Sequence, residues 1–266
     1  MTDIRTDWVD NIGETVDADY LNGLGSNLNA NTHARTVCGN RSARPAAAPE
    51  NSGGTYRCLD CNAEYLSNGS AWSKIRIGGH AGPPMADPPS SGLTTTPMGS
   101  AALTADRDGR LLSMPASDGN WRVEYKALSP TSGYTATAFV EVPELGSNAL
   151  LAGLILLSSS GTNLLGFGPG NNGAFGAFVF GANALSGITS TRGSNTTLLG
   201  VPNWYRIRDD GTNLNFEYSL NGLEWRSVLS ESRTAALTPA YIGWGGINTG
   251  GSARVARMRS LAITTP

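Results

Sequence analysis

The chain has 266 residues, 15% of them charged, with 34 glycines, 14 prolines and a formal net charge of −2. Nonspecific nucleic-acid binders are normally more basic, so that role is not expected, and a composition rich in Gly and Pro favours many strands and turns over long helices. The longest apolar run, Ala149 to Leu157, falls far short of the roughly 20 residues that a bilayer span needs, so no membrane insertion is expected.

Residues 1–36 read as an arm followed by a helix. Met1-Thr-Asp-Ile-Arg lacks the apolar core of a secretory signal, so folding in a cytoplasm is expected. Trp8 and Val9 stand out in a polar arm, either as a plug for a neighbouring subunit or as a staple at the entry to the next element. Asp17 is a helix cap, and Ala18 to Ala34 is the predicted helix. Leu21, Leu24 and Leu28 form an apolar stripe at spacings of three and four. Gly23 and Gly25 each weaken such a helix by about 1 kcal/mol relative to Ala. It is therefore marginal alone, and its stripe docks on sister copies, on a host subunit or on its own chain.

Residues 37–78 read as a β-hairpin connector for oligomerisation. Arg44 to Pro49 is a stiff lead-in. Tyr56 lies in one strand, Tyr65 in the return strand and Trp72 in a third, with Asn68-Gly69 as a tight turn. So small a hairpin buries too little to stand alone, so Tyr56, Tyr65 and Trp72 are expected to pack in an assembly. Cys58 and Cys61 form a C-x-x-C, with Cys38 and His33 upstream. These three cysteines are read as reduced thiols near a turn, as a zinc site completed by His33, or as a disulfide.

Residues 79–100 read as a Pro/Gly-rich linker. Residues 101–266 read as a β-sandwich of about ten to twelve strands. Leu150 to Leu157 is apolar on both faces, as in a central strand covered on both sides. Trp204 to Leu229 alternates apolar and polar residues around Asp210-Gly211 and Asn221-Gly222, an antiparallel meander with one dry face.

The chemistry of an enzyme is hard to place. The two histidines, His33 and His80, lie outside the predicted sandwich, so a Ser-His-Asp set within that domain is not expected. Glu141 and Glu144 straddle Pro143 and share no strand face, which argues against a glycosidase acid pair. Gly166-Phe-Gly168-Pro-Gly170 lacks a following helix and reads as a loop between strands rather than a phosphate cradle. Asp209-Asp210 and Asp106/Asp108 are read as turn residues rather than calcium ligands. Trp244, in GWGGINTGG, is either a core residue with glycines as tight bends or a ring exposed for sugar stacking. On the second reading Asn248, Asn171 and Asn172 supply hydrogen bonds.

The segment from Val37 to Trp72 resembles one found in tailed-bacteriophage virion proteins. The matching residues are Arg44-Pro45-Ala46, Pro49-Glu50, Leu59-Asp60-Cys61, Tyr65 and Asn68-Gly69-Ser70-Ala71-Trp72; the C-x-x-C departs from the usual turn. Asp7 to Thr32 looks like the start of actinobacteriophage minor tail proteins. Asn203 to Trp225 is similar to a pattern of concanavalin A-like (laminin G-like) jelly rolls, a likeness of fold only. These resemblances imply a mainly β virion structural protein, trimeric, with an attachment end and an outward jelly-roll sandwich. They imply a minor tail, tail-tip or tail-fibre protein that binds other phage proteins and host-surface glycan. The alternatives are a capsid decoration or head-fibre protein and, less favoured, a glycan-cleaving enzyme. The expectation is of no enzymatic activity and no cofactor.

Overall fold

The computed structural model describes residues 36–39, 44–49, 52–58, 63–77, 80–86, 88–89, 92–96, 99–106, 109–128, 133–143, 150–196 and 202–264. The predicted helix, with Leu21, Leu24 and Leu28, and the arm with Trp8 and Val9 lie outside these residues, as do His33 and Cys61. The described residues contain no α-helix. The chain divides into two compact units, Met1–Gly78 and Gly79–Pro266.

In the first unit, β1 (Thr36–Gly39) runs parallel to β2 (Thr55–Cys58). Antiparallel pairs then join β2 to β3 (Ala63–Ser67) and β3 to β4 (Trp72–Ile77). The Asn68-Gly69 turn forms as expected: Gly69 takes φ +87°, and Asn68 Oδ1 accepts the N–H groups of Ser70 and Ala71 at 2.9 and 2.7 Å. Tyr56 and Tyr65, expected to pack in an assembly, are buried within the chain itself. The lead-in explains part of this. The Arg44 guanidinium lies 4.2 Å from the Tyr65 ring centre, and the Trp72 indole N–H reaches Pro45 O at 2.9 Å. Trp72 also meets Tyr56 edge-on at 6.1 Å.

The second unit begins with β5 (His80–Met85), β6 (Thr94–Thr95), β7 (Ala102–Asp106), β8 (Gly109–Met114) and β9 (Arg122–Ala127). It continues with β10 (Tyr134–Glu141), β11 (Leu150–Leu157), β12 (Leu164–Asn171), β13 (Phe175–Ala182) and β14 (Ser190–Asn195). The meander β15 (Trp204–Asp209), β16 (Asn213–Ser219) and β17 (Arg226–Ser232) follows, and β18 (Tyr241–Asn248) and β19 (Arg254–Thr264) complete the unit. The expected linker 79–100 is thus partly structured. Its backbone at Ala86 exchanges hydrogen bonds with Leu261 and Ser260, and β6 pairs with β9.

Among the described residues, fourteen strands form two sheets of seven, ordered β17-β16-β15-β10-β19-β8-β7 and β14-β13-β12-β11-β18-β9-β6. Residues 101–266 were expected to make such a sandwich. Between the sheets, Phe167 meets Tyr205 and Phe216 edge-on at 5.4 and 5.5 Å, a packing that aromatic quadrupoles favour. All eight residues of β11 are buried, because the second sheet is covered on its other face too. Trp121, Leu151, Ile155, Phe178, Phe180 and Leu185 form that second apolar layer. Gly166 makes room for it: a Cβ there would lie 2.8 Å from the Trp121 ring. The Trp121 indole N–H donates to Gly187 O at 2.7 Å, so the segment around Leu185 is pinned over the sheet.

Gly166, Gly168 and Gly170, expected in a loop, lie within β12. A Cβ on Gly168 would sit 2.1 Å from Ala152 O on the adjacent strand. These glycines therefore serve close strand approach rather than a turn.

Candidate functional site

The four residues proposed from sequence as a sugar site do not form one. Trp244 is 1% exposed and belongs to the core between the sheets; of its two readings, the core one is correct. The glycines beside it do not display the ring. A Cβ on Gly243 or Gly245 would lie 1.9 or 2.0 Å from Glu124 O or Arg122 O of β9, so they let β18 and β9 close together. The Trp244 indole N–H instead donates to Glu124 Oε2 at 3.1 Å. That carboxylate is also held by Arg110, whose Nε lies 3.0 Å from Oε2. Arg110 is on β8 and Glu124 on β9, so this buried ion pair ties one sheet to the other.

Asn248 is buried and acts as a brace. Its amide donates to Pro115 O and Ser252 O at 2.9 and 2.8 Å, and its Oδ1 accepts the Gly250 N–H at 3.0 Å. Asn171 is buried in β12, and it and Asn248 flank Leu150 on neighbouring strands. Asn172 alone of the four is exposed, and it borders a pocket.

That pocket has a volume of about 330 Å³ and is lined by Asn172, Phe180, Ile188, Thr189, Ser190, Thr191 and Thr249. Its walls come from the β12–β13 turn, β13, the entry to β14 and the residue after β18. The apolar part is Phe180 and Ile188, both from the layer that covers the second sheet. Around it stand the side chains of one asparagine, three threonines and one serine. Asn172 Nδ2 donates to Thr191 Oγ1 at 3.2 Å, and Thr189 Oγ1 donates to Gly181 O at 2.9 Å, so two of the polar groups are already oriented. An apolar patch with a few fixed hydrogen-bonding groups is the usual make-up of a small-molecule site. None of the described lining residues is charged, so the pocket offers hydrogen bonding without an acid or base.

The strand that carries this wall is anchored at its edge. Arg192, next to Thr191, makes a two-point ion pair with Glu231 of β17, Nε lying 3.2 and 3.1 Å from the carboxylate oxygens. The hydrogen bond to Glu231 raises the Arg192 pKa further above its ordinary value. Asn195 Nδ2 reaches Tyr218 Oη at 3.2 Å, a second tie between the sheets. Thr189, Ser190, Thr191 and Thr249 were missed from sequence. The only signal was a run of hydroxyl residues after Gly187, which is equally a solvated strand edge.

The remaining candidates have structural roles or lie outside the described residues. Cys58 is disulfide-bonded, and a sulfur so engaged is not the thiolate that zinc requires. Cys38 lies on β1. Among the described residues no group of three or more His, Cys, Asp or Glu is arranged to hold a metal ion. Glu141 accepts from Arg259 Nε at 2.9 Å. Asp106 is paired with Arg257 at 2.9 Å. Asp209 pairs with Arg233 at 2.6 Å. Asp210 caps the turn by accepting from the Thr212 and Asn213 N–H groups at 3.0 and 2.7 Å, which holds its carboxyl below the usual aspartate range.

No family model and no curated protein matches the chain. Solved structures do match. One is a protein of unknown function from Saccharomyces cerevisiae, at 15% identity and a TM-score of 0.49 over 65% of this chain and 96% of that one. Another is the GH43 protein BlXynB from Bacillus licheniformis, at 16% identity and a TM-score of 0.46 over 63% of this chain and 35% of that one. A third is the cellulose induced protein Cip1, at 14% identity and a TM-score of 0.45 over 65% of this chain and 91% of that one. At these identities the likeness is one of β-architecture. Further matches are also GH43 proteins. This corrects the expectation of no enzymatic activity, since GH43 proteins, a glycoside hydrolase among them, stand among the similar structures.

Proposed function

We propose that this chain is a tailed-bacteriophage virion structural protein, a minor tail or tail-tip protein, that attaches to host-surface glycan. In this reading the sandwich is a jelly roll of the concanavalin A/laminin G-like kind, and the chain acts as a homotrimer alongside other phage proteins. One observation carries the adhesive part: the 330 Å³ pocket, where an apolar patch meets amide and hydroxyl groups. A sugar ring has the matching chemistry, with C–H faces for Phe180 and Ile188 and hydroxyls for Asn172 and the threonines. The virion part is supported by the resemblance of Val37 to Trp72 and of Asp7 to Thr32 to phage segments.

The test is retention of the purified chain on a host cell-wall preparation, with released sugar measured in the same sample so that turnover is read alongside binding. The wild type is retained, and Asn172→Ala weakens retention roughly tenfold, the upper range for one hydrogen bond. Absence of retention refutes the adhesive reading. Mass spectrometry of purified particles tests the rest. A handful of copies marks a tail protein, tens to hundreds mark the capsid alternative, and absence from the particle refutes a virion role.

A further inference from the structure

The hairpin between β16 and β17 ends in a tip that the chain itself holds rigid. Ser219 Oγ accepts the Gly222 N–H at 2.8 Å, and Asn221 Oδ1 accepts the N–H groups of Leu223 and Glu224 at 2.9 and 3.0 Å. Gly222, at φ +75°, completes the turn. This tip puts Leu220 and Leu223 into water, 61% and 67% exposed, with Glu224 exposed beside them. A lone exposed leucine needs no explanation. Two on one hydrogen-bonded tip form a knob whose shape is set before it meets anything, and such preorganisation lowers the cost of binding.

The same sheet carries a matching hollow. It is an apolar depression of about 620 Å³ lined among others by Ala102, Met114, Pro115, Pro143 and Val255, with Arg254 beside them. The strand register puts knob and hollow at one end of the sheet. Ser219 is opposite Trp204, Trp204 opposite Phe139, and two residues further on Glu141 is opposite Arg257. The hollow's Arg254 and Met114 are paired at that end of β19 and β8. From β16 to β8 is four strand spacings of about 4.8 Å each, so one chain presents the two features side by side.

We propose that the Leu220–Leu223 tip of one copy seats in the hollow of a second copy, with Glu224 facing Arg254 across the contact. Knob and hollow are different surfaces, so the contact is heterologous. Such a contact closes the homotrimer of the reading above when successive copies are related by a third of a turn. This deepens the self-assembly part of the reading above and rests on it.

The test is light scattering of the full-length chain across a wide concentration range. The wild type reaches a fixed multiple of the monomer mass. Leu223→Asp, which spoils the knob, and Val255→Arg, which spoils the hollow, each stay monomeric. Mixed together, these two variants form one-to-one dimers, since one supplies an intact hollow and the other an intact knob. Glu224→Arg weakens association, and adding Arg254→Glu in the same chain restores it. A wild type that stays monomeric throughout overturns both self-assembly and this contact. An oligomer that keeps its mass in Leu223→Asp leaves self-assembly standing and overturns the contact alone. A variant mixture that stays monomeric overturns it as well.

Discussion

Replacing Arg110 with Met isolates the ion pair that links the sheets. The Arg110 and Glu124 side chains are only 12% and 6% exposed, and the carboxylate's other partner is the Trp244 indole at 3.1 Å. Arg110→Met keeps the volume and removes the cation, so Glu124 is left as a buried charge with one neutral donor. Such a loss costs about 3–5 kcal/mol. For a unit of this size each kcal/mol is worth about 2–4 °C in Tm, so the melt falls by about 6–20 °C. The double variant Arg110→Met/Glu124→Met removes both charges and orphans only the indole N–H, a cost of about 1–3 kcal/mol. Urea titration followed by tryptophan fluorescence measures both, and the double variant is the more stable of the two. If Arg110→Met costs under about 1 kcal/mol, as an exposed pair would, the carboxylate is solvated and the account of the inter-sheet tie is refuted.

Gly168→Ala drives a methyl group to 2.1 Å from Ala152 O, so it separates β11 from β12 and costs at least the 1–3 kcal/mol typical of overpacking, seen as a lower Tm. Tyr134 has a buried hydroxyl with no hydrogen-bond partner, so Tyr134→Phe is neutral or stabilising at pH 7 in a thermal melt; a loss of more than about 1 kcal/mol contradicts this. Burial first, and then the Asp209 charge, push the Tyr134 phenol well above its ordinary value. The folded state resists ionisation, so this group leaves stability unchanged below about pH 10, the unfolded value, and lowers it as pH rises beyond that. Tyr134→Phe accordingly flattens the alkaline limb of the stability profile. Asp210 shifts the other way, by backbone hydrogen bonds from Asn213 and Thr212. Its effect is present above the usual aspartate pKa of about 4 and is lost as pH falls, so Asp210→Ala melts lower than wild type at pH 7 and the two curves converge in acid.

Period and turn chemistry made the sandwich legible. The unbroken apolar run Leu150 to Leu157 could only be a strand covered on both faces, and β11 is one. Asp210-Gly211 and Asn68-Gly69 marked turns through the positive φ their glycines adopt. Glycine also misled, because a missing side chain serves a bend and a close approach equally well. Gly166, Gly168 and Gly170 read as a loop but lie in β12, and Gly243 and Gly245 suggested an exposed Trp244 where they bring β9 near. After Asn221-Gly222 the next strand of the meander starts only at Arg226, since Asn221 holds the intervening residues in the tip. The pocket was invisible for a different reason. Asn172, Thr191 and Thr249 are far apart in sequence, and no local pattern reports that three connections meet.

Because the polar walls of that cavity come from separate, short stretches of chain, its preference is free to drift one short peptide at a time. Exchanging the residue after β18, or the pair that opens β14, would retune the proposed glycan site and leave the buried layers of both sheets as they are. In the virion role proposed above, a particle under pressure to change hosts would find in this arrangement a rigid frame with replaceable fingertips.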